Sequence, residues 1–174
     1  MHELTRPRHV VGTGYAWADA EEDFRAARRS EARSRVMDRL RGRCGGLLVL
    51  ADVLGPAGAS AHREVSLRDV DVDTIVGSAG RSAPFDGRFR PRSQVHRQRW
   101  EGLDRAVRTG EGLPPIEVYR VGDRHFVLDG HHRVSVARAL GLATVEAVVT
   151  TLYPAGDASA GRAQRPANAR SLRS

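Results

Sequence analysis

No lysine occurs in this 174-residue chain: all 28 of its basic residues are arginine. Ala and Gly are abundant beside them, a bias that a GC-rich coding sequence produces, so the Arg excess is only in part a functional signal. A single cysteine, Cys44, excludes an intramolecular disulfide and suits a reducing compartment. No apolar run approaches the length needed to cross a bilayer. Met1 to Gly14 lacks the apolar centre of a signal peptide. A cytoplasmic protein with no membrane partner is therefore expected. Hydrophobic residues make up 40% of the chain and aromatic residues 5%. That is little for a fully packed globule, so part of the chain should lie outside the core. What the sequence has is positive charge. A net +7 and a pI near 11.0 point to a polyanionic partner such as a nucleotide or nucleic acid.

The pattern along the chain divides it into five stretches. Residues 1–16 have little apolar periodicity and are expected to be disordered. Residues 17–54 read as a basic helical extension: Trp17, Ala20, Phe24, Ala27, Val36 and Leu40 recur near helical period until Gly42, Gly45 and Gly46 interrupt. Leu47 to Leu54 is an apolar run, either a second short helix or a strand. Residues 55–63, opening Gly55-Pro56-Ala57-Gly58, have linker composition. Residues 64–153 form the expected domain, and 154–174, rich in Ala, Gly, Ser and Arg, a disordered tail. Within the domain, Glu64 to Ile75 has a mixed strand pattern with a turn-like Arg68-Asp69. Phe85 and Phe89 are expected to pin an aperiodic stretch to the core. A helix is predicted over Ser93–Thr109, with Val95, Trp100, Leu103, Ala106 and Val107 as its buried stripe. Ile116–Val121 and His125–Leu128 read as strands joined at Gly122-Asp123. A short helix follows to Leu140, closed by Gly141, and Thr144–Thr151 is a last strand.

Most of the chemistry lies in Phe126-Val127-Leu128-Asp129-Gly130-His131-His132-Arg133. An apolar strand meets an Asp-Gly turn that opens a helix, and a helix start offers unpaired N–H groups to anions. Gly130 allows a sharp turn and close backbone approach, and Arg133 can grip phosphate oxygens bidentately. His131 and His132 start the helix about a hundred degrees apart, so they cannot face one ligand equally. Asp129 could hold Mg²⁺, orient an imidazole or act as general base. The competing reading makes Asp129-Gly130 a turn and cap, with Arg133 simply exposed. A metal set drawn from His125, Asp129, His131 and His132 is disfavoured by strand and helix geometry, and no metal is assigned. Ser78, Gly80 and Arg81 could supply a second phosphate-facing loop, and Glu117 could point toward the same cleft. Arg25, Arg28, Arg29, Arg33, Arg35, Arg39, Arg41 and Arg43 could track a nucleic-acid backbone, but nothing supports sequence-specific readout.

The order of elements and the stretch from Leu113 through Asp129-Gly130-His131-His132-Arg133 resemble the ParB/sulfiredoxin superfamily over roughly residues 64–151. The resemblance implies an α/β (α+β) fold: a small mixed-sheet domain, here with a helical N-terminal extension. In the ParB glycine-Glu-Arg-Arg box, Gly130 matches the glycine and Arg133 the second Arg. His131 and His132 replace Glu and the first Arg, Ser135 replaces the third Arg, and Arg81 matches an upstream loop Arg. Sulfiredoxin carries Cys where His131 stands. Free serine kinase has a DGHTR motif that Asp129, Gly130, His131 and Arg133 match. These likenesses imply a nucleotide-binding protein associating non-specifically with DNA, in chromosome or plasmid partitioning. Its ligand would be a nucleotide triphosphate or diphosphate (CTP, ATP or ADP), with or without Mg²⁺. Ser78, Gly80, Arg81, Gly130, His131, His132 and Arg133 would hold the phosphates. The alternatives are a phosphotransferase or metal-dependent nuclease using Asp129, His131 and His132, or a non-catalytic adaptor. A homodimer is compatible with all of them.

Overall fold

The computed structural model describes residues 12–42, 45–80 and 84–155. Helix α1 (Ala16–Leu40) buries Ala20, Phe24 and Glu31. Asp19 in its first turn and Arg39 in its last suit the helix dipole. Next come β1 (Leu48–Val49), α2 (Leu50–Leu54), β2 (Ala59–Asp71) and a single 3-10 turn over Val72–Thr74. Strand β3 (Ile75–Ser78), helix α3 (Arg97–Arg108), the hairpin β4 (Ile116–Val121) and β5 (Arg124–Asp129), helix α4 (His131–Ala139) and strand β6 (Thr144–Pro154) complete the order.

The strands form one six-stranded mixed sheet in the order β1-β3-β5-β4-β6-β2. β4 runs antiparallel to β5 and parallel to β6, while β2 pairs antiparallel with β6 along most of its length. The main core gathers Ile75, Ile116, Val118, Val127, Val134, Ala137 and Val149 between the sheet and α4. A second cluster joins Phe24, Trp100, Val136 and Leu140, binding α1 and α3 to α4. Phe24 meets Trp100 edge-on at 5.5 Å between ring centroids. The Trp100 indole N–H donates to Ser135 Oγ at 2.9 Å, which satisfies a polar group that burial would otherwise penalise. Around them Arg108 reaches Asp104 at 2.7 Å, and Asp19 and Asp23 on α1.

Several expectations need correction. The linker placed at 55–63 overlaps β2, which already runs from Ala59. The extension drawn over 17–54 is not separate from the sheet, because Leu48 and Val49 pair with Gly77 and Ser78. That pairing needs a glycine: a Cβ on Gly77 would lie 2.3 Å from the Leu48 carbonyl oxygen and 2.7 Å from the Phe126 ring. Arg68-Asp69 is no turn; β2 continues through it to Asp71, and the chain bends at Val72–Thr74 instead. In α1, Ala20 and Phe24 are buried but Trp17, Val36 and Leu40 are 62%, 58% and 76% exposed, so the buried stripe does not extend to these positions. Val95 precedes α3 and is 82% exposed. The stretches expected to be disordered lie mostly outside the described residues; within them Gly12–Tyr15 leads into α1 and Pro154 ends β6. Cys44 and Arg43 also lie outside.

The Phe24–Trp100 contact is the apolar part of what fixes α1 to the domain. Phe24→Ala should cost about 3–5 kcal/mol in chemical denaturation. Hydrogen-exchange protection should be lost first in α1.

Candidate functional site

The hairpin and the β5–α4 turn build the site. Gly130 adopts φ +105, and a Cβ there would come 2.5 Å from Ile116 Cγ2, so the backbone fits against β4 only without a side chain. Helix α4 starts immediately after it. Val134 N–H donates to the Gly130 carbonyl at 3.0 Å, no side chain among the described residues caps the turn, and no acidic residue occupies its first turn. The amides of His131, His132 and Arg133 therefore lie at the positive end of the dipole.

The three side chains leave this turn in different directions, as the helical period requires. His131 turns toward β3, where its Nε2 lies 2.8 Å from Ser78 Oγ. Ser78 itself donates to the Val127 carbonyl at 3.3 Å, so the imidazole is the donor in the pair. Phe85 stacks on His131 at 6.1 Å, and Phe89 lies 6.2 Å away. His132 turns toward the start of α3 and meets His96 at 4.9 Å and Phe85 at 5.1 Å. Its buried Nε2 has no hydrogen-bond partner among the described residues. Arg133 bends back past Gly130. Its guanidinium donates to the carbonyls of Pro114 and Pro115 and to Asp129 Oδ2. It is 13% exposed, whereas the Asp129 side chain is 63% exposed.

Burial removes charge from both imidazoles. It pushes His131 below its ordinary value, and it pushes His132 down to about 4 with help from His96 and Arg99. His125, packed against Thr74 with Nδ1 2.9 Å from Oγ1, is likewise driven to about 4 by burial first and then by Arg68 and Arg120. Near neutrality the positive field at α4 therefore comes from its amides and from arginine, and part of the Arg133 charge is balanced by Asp129.

The loop 84–92 forms the floor. Asp86 Oδ1 accepts from the N–H groups of Arg88 and Arg90 at 2.9 and 2.8 Å, holding Phe89 at φ 59, an uncommon conformation for an aromatic residue. Phe89 is fully buried, and the Arg138 guanidinium lies 5.1 Å over its ring.

Of the residues named from sequence, Ser78, Gly130, His131, His132, Arg133 and Asp129 come together at one end of the sheet. Gly80 ends the described part of the β3 loop, and a Cβ there would meet nothing within 4 Å among the described residues. Arg81 lies outside the described residues. Glu117 is exposed and pairs in register with Asp129, which sets two carboxylates side by side at the strand ends. Ser135 is buried under Trp100, a position with no room for an arginine. Sequence reasoning missed His96 and Arg99, which α3 brings to His132 over a long chain separation. Among the described residues no group of three or more His, Cys, Asp or Glu is arranged to hold a metal ion. No helix among them is long and apolar enough to cross a membrane. A cavity of about 260 Å³ opens elsewhere, between α1 and the loop 84–92. Glu31, Arg35, Asp38 and Arg39 of α1 line it together with Asp86 and Arg92, so its walls carry balanced charge.

The depressed histidines make stability pH-dependent. With unfolded values near 6.5 and folded values near 4 for His125 and His132, the unfolded chain binds more protons below 6.5. Stability should be level above that point and fall progressively as pH drops toward 4. Urea denaturation across this range checks it, and His132→Phe should flatten the slope.

No curated protein matches the sequence. Among solved structures, a sulfiredoxin from Arabidopsis thaliana is similar at 21% identity, TM-score 0.36, over 48% of this chain and 83% of its own. A Pnob8-like ParB-N domain is similar at 16% identity, TM-score 0.35, over 53% of this chain and 32% of its own, so this chain spans about a third of that one. The family model for the ParB N-terminal domain matches residues 62–161, more than half of the sequence and the whole of the β2-to-β6 unit that carries the site just described except the first residues of β2. The chain belongs to the ParB N-terminal domain family.

Proposed function

We infer that this is a ParB-like, partition-related protein that binds the phosphates of a nucleotide at the start of α4 and associates with DNA without sequence preference. The observation that carries this is the uncapped first turn of α4, entered through Gly130 and flanked by Arg133. Ser78 fixes the ring of His131, so the histidines shape the turn rather than charge it. Arg133 acts by exchanging Asp129 for a phosphate oxygen. Ser78, Gly80 and Arg81 would close the other side of the phosphates.

The DNA contribution falls on part of the Arg-rich helix. Arg25 and Arg29 are paired with Glu21 and Glu22 at 2.6 Å, and Arg28 reaches Glu31. Arg33, Arg39 and Arg41 have no such partner among the described residues and are exposed. They would contact backbone phosphate, with affinity falling steeply as salt rises.

Titration calorimetry with CTP, ATP and ADP tests the nucleotide reading. Arg133→Ala should weaken binding about tenfold or more, the effect of losing a charge-assisted contact. Asp129→Asn should strengthen it, because the competing carboxylate is gone. Absence of binding by the native chain, or indifference to Arg133→Ala, sinks the proposal.

A second reading, phosphoryl transfer or metal-assisted phosphodiester hydrolysis, draws on the exposure of Asp129 beside Glu117. It expects the opposite response to the same substitution: Mg²⁺-dependent turnover that vanishes in Asp129→Asn. Turnover that persists removes Asp129 from the chemistry.

A further inference from the structure

Strand β2 ends the sheet, pairs only with β6, and presents its other edge unpaired by any strand among the described residues. It is 13 residues long, and its irregular pairing is confined to the stretch before Arg63. From Arg63 to Asp71 the ladder with β6 is regular. Val65 and Leu67 on this edge strand are 65% and 61% exposed. From Arg63 onward the edge is regular, free of proline and carries two exposed apolar side chains, which makes it a template for another strand.

The charges on β2 say which strand fits. The segment reads Arg63-Glu64-Val65-Ser66-Leu67-Arg68-Asp69. None of its four charged side chains takes part in an ion pair or side-chain hydrogen bond within the chain among the described residues. Each charge on one side of Ser66 has its opposite at the same distance on the other side. An antiparallel copy centred on Ser66 places Arg63 opposite Asp69, Glu64 opposite Arg68, and Val65 opposite Leu67. Strand alternation then sorts these pairs by face. Arg63–Asp69 pairs bracket four adjoining apolar side chains on one face, and Glu64–Arg68 pairs flank the two serines on the other. Sliding the copy by two residues loses this. Centred on Val65, Arg63 meets Leu67 and Glu64 meets Ser66; centred on Leu67, Val65 meets Asp69 and Ser66 meets Arg68. A parallel in-register copy sets like charges side by side.

We propose that β2 is a self-association edge: two copies of this chain pair antiparallel through β2 about a two-fold axis at Ser66, joining their sheets into one of twelve strands. The contact is narrow, so the dimer is weak and concentration-dependent. The pairing leaves both α4 sites open, since Ser78 and Gly130 lie at the ends of β3 and β5, which β4 and β6 separate from β2 in the sheet.

Sedimentation equilibrium of the full chain, up to millimolar protein, tests this. The native chain should show a reversible monomer–dimer equilibrium. Glu64→Arg and Arg68→Glu each turn two symmetry-related attractions into repulsions, and each should weaken dimerisation about tenfold or more. Combined, the two reversals restore opposite charges across the axis and should return the dissociation constant close to the native one. On the other face, Arg63→Asp with Asp69→Arg should repeat the cycle. These side chains are exposed, so circular dichroism and melting should confirm a native fold for each variant. A native chain that stays monomeric overturns the proposal. So do single reversals that leave a dimer unchanged, or a double reversal that fails to rescue.

Discussion

The close approach of Gly130 to Ile116 fixes more of this structure than any side-chain contact. With no Cβ to accommodate, β5 can turn against the start of β4 and release the chain straight into α4. Because the helix begins at one defined residue, its next three side chains are committed to three neighbours: β3, the start of α3, and the Pro114-Pro115 segment before β4. The helix start thus becomes a junction between sheet, loop and helix layers. Its polar amides are left over at the centre of that junction, where an anion would be welcome.

The layer above the junction is held by charge as much as by apolar contact. Asp104 is fully buried, and burial pushes its carboxyl up against the pull of Arg108. That arginine also takes Asp19 and Asp23 from α1. A basic helix is thereby fastened through its acids, while Arg33 and Arg39 in its second half stay exposed and without an ion pair among the described residues. The same economy appears in the loop 84–92, where Asp86 takes the backbone N–H groups of Arg88 and Arg90 and the Arg90 Nε–H, and Arg90 goes on to Ser30 on α1.

The sequence made the local features legible. The Gly122-Asp123 hairpin and α4 with its preceding Asp-Gly turn rest on neighbours a few residues apart, while Phe85 and Phe89 stood out as large apolar side chains in a stretch otherwise without periodicity. β2 escaped because an edge strand, solvated on one side, tolerates charge at Arg68 and Asp69 where a central strand would not. The joining of the extension to the sheet escaped because β1 is only two residues long and depends on the missing side chain of Gly77, far along the chain. At the site, Gly130, Ser78 and His131 were identifiable by type and spacing. The hold on Arg133 was not, since the Pro114 and Pro115 carbonyls that receive it are backbone groups with no residue signature. His96 and Arg99 were hidden for a similar reason: α3 carries them to His132 across more than thirty positions.

The two tryptophans sit in opposite surroundings: Trp17 is 62% exposed at the head of α1, and Trp100 is fully enclosed with its indole bound to Ser135 on α4. Their fluorescence should separate accordingly, into a red-shifted component open to collisional quenchers and a blue-shifted one shielded from them. The shielded emitter touches the helix whose first turn forms the candidate site. Nature has in effect placed a reporter there, one that needs no label to register events at the other end of α4.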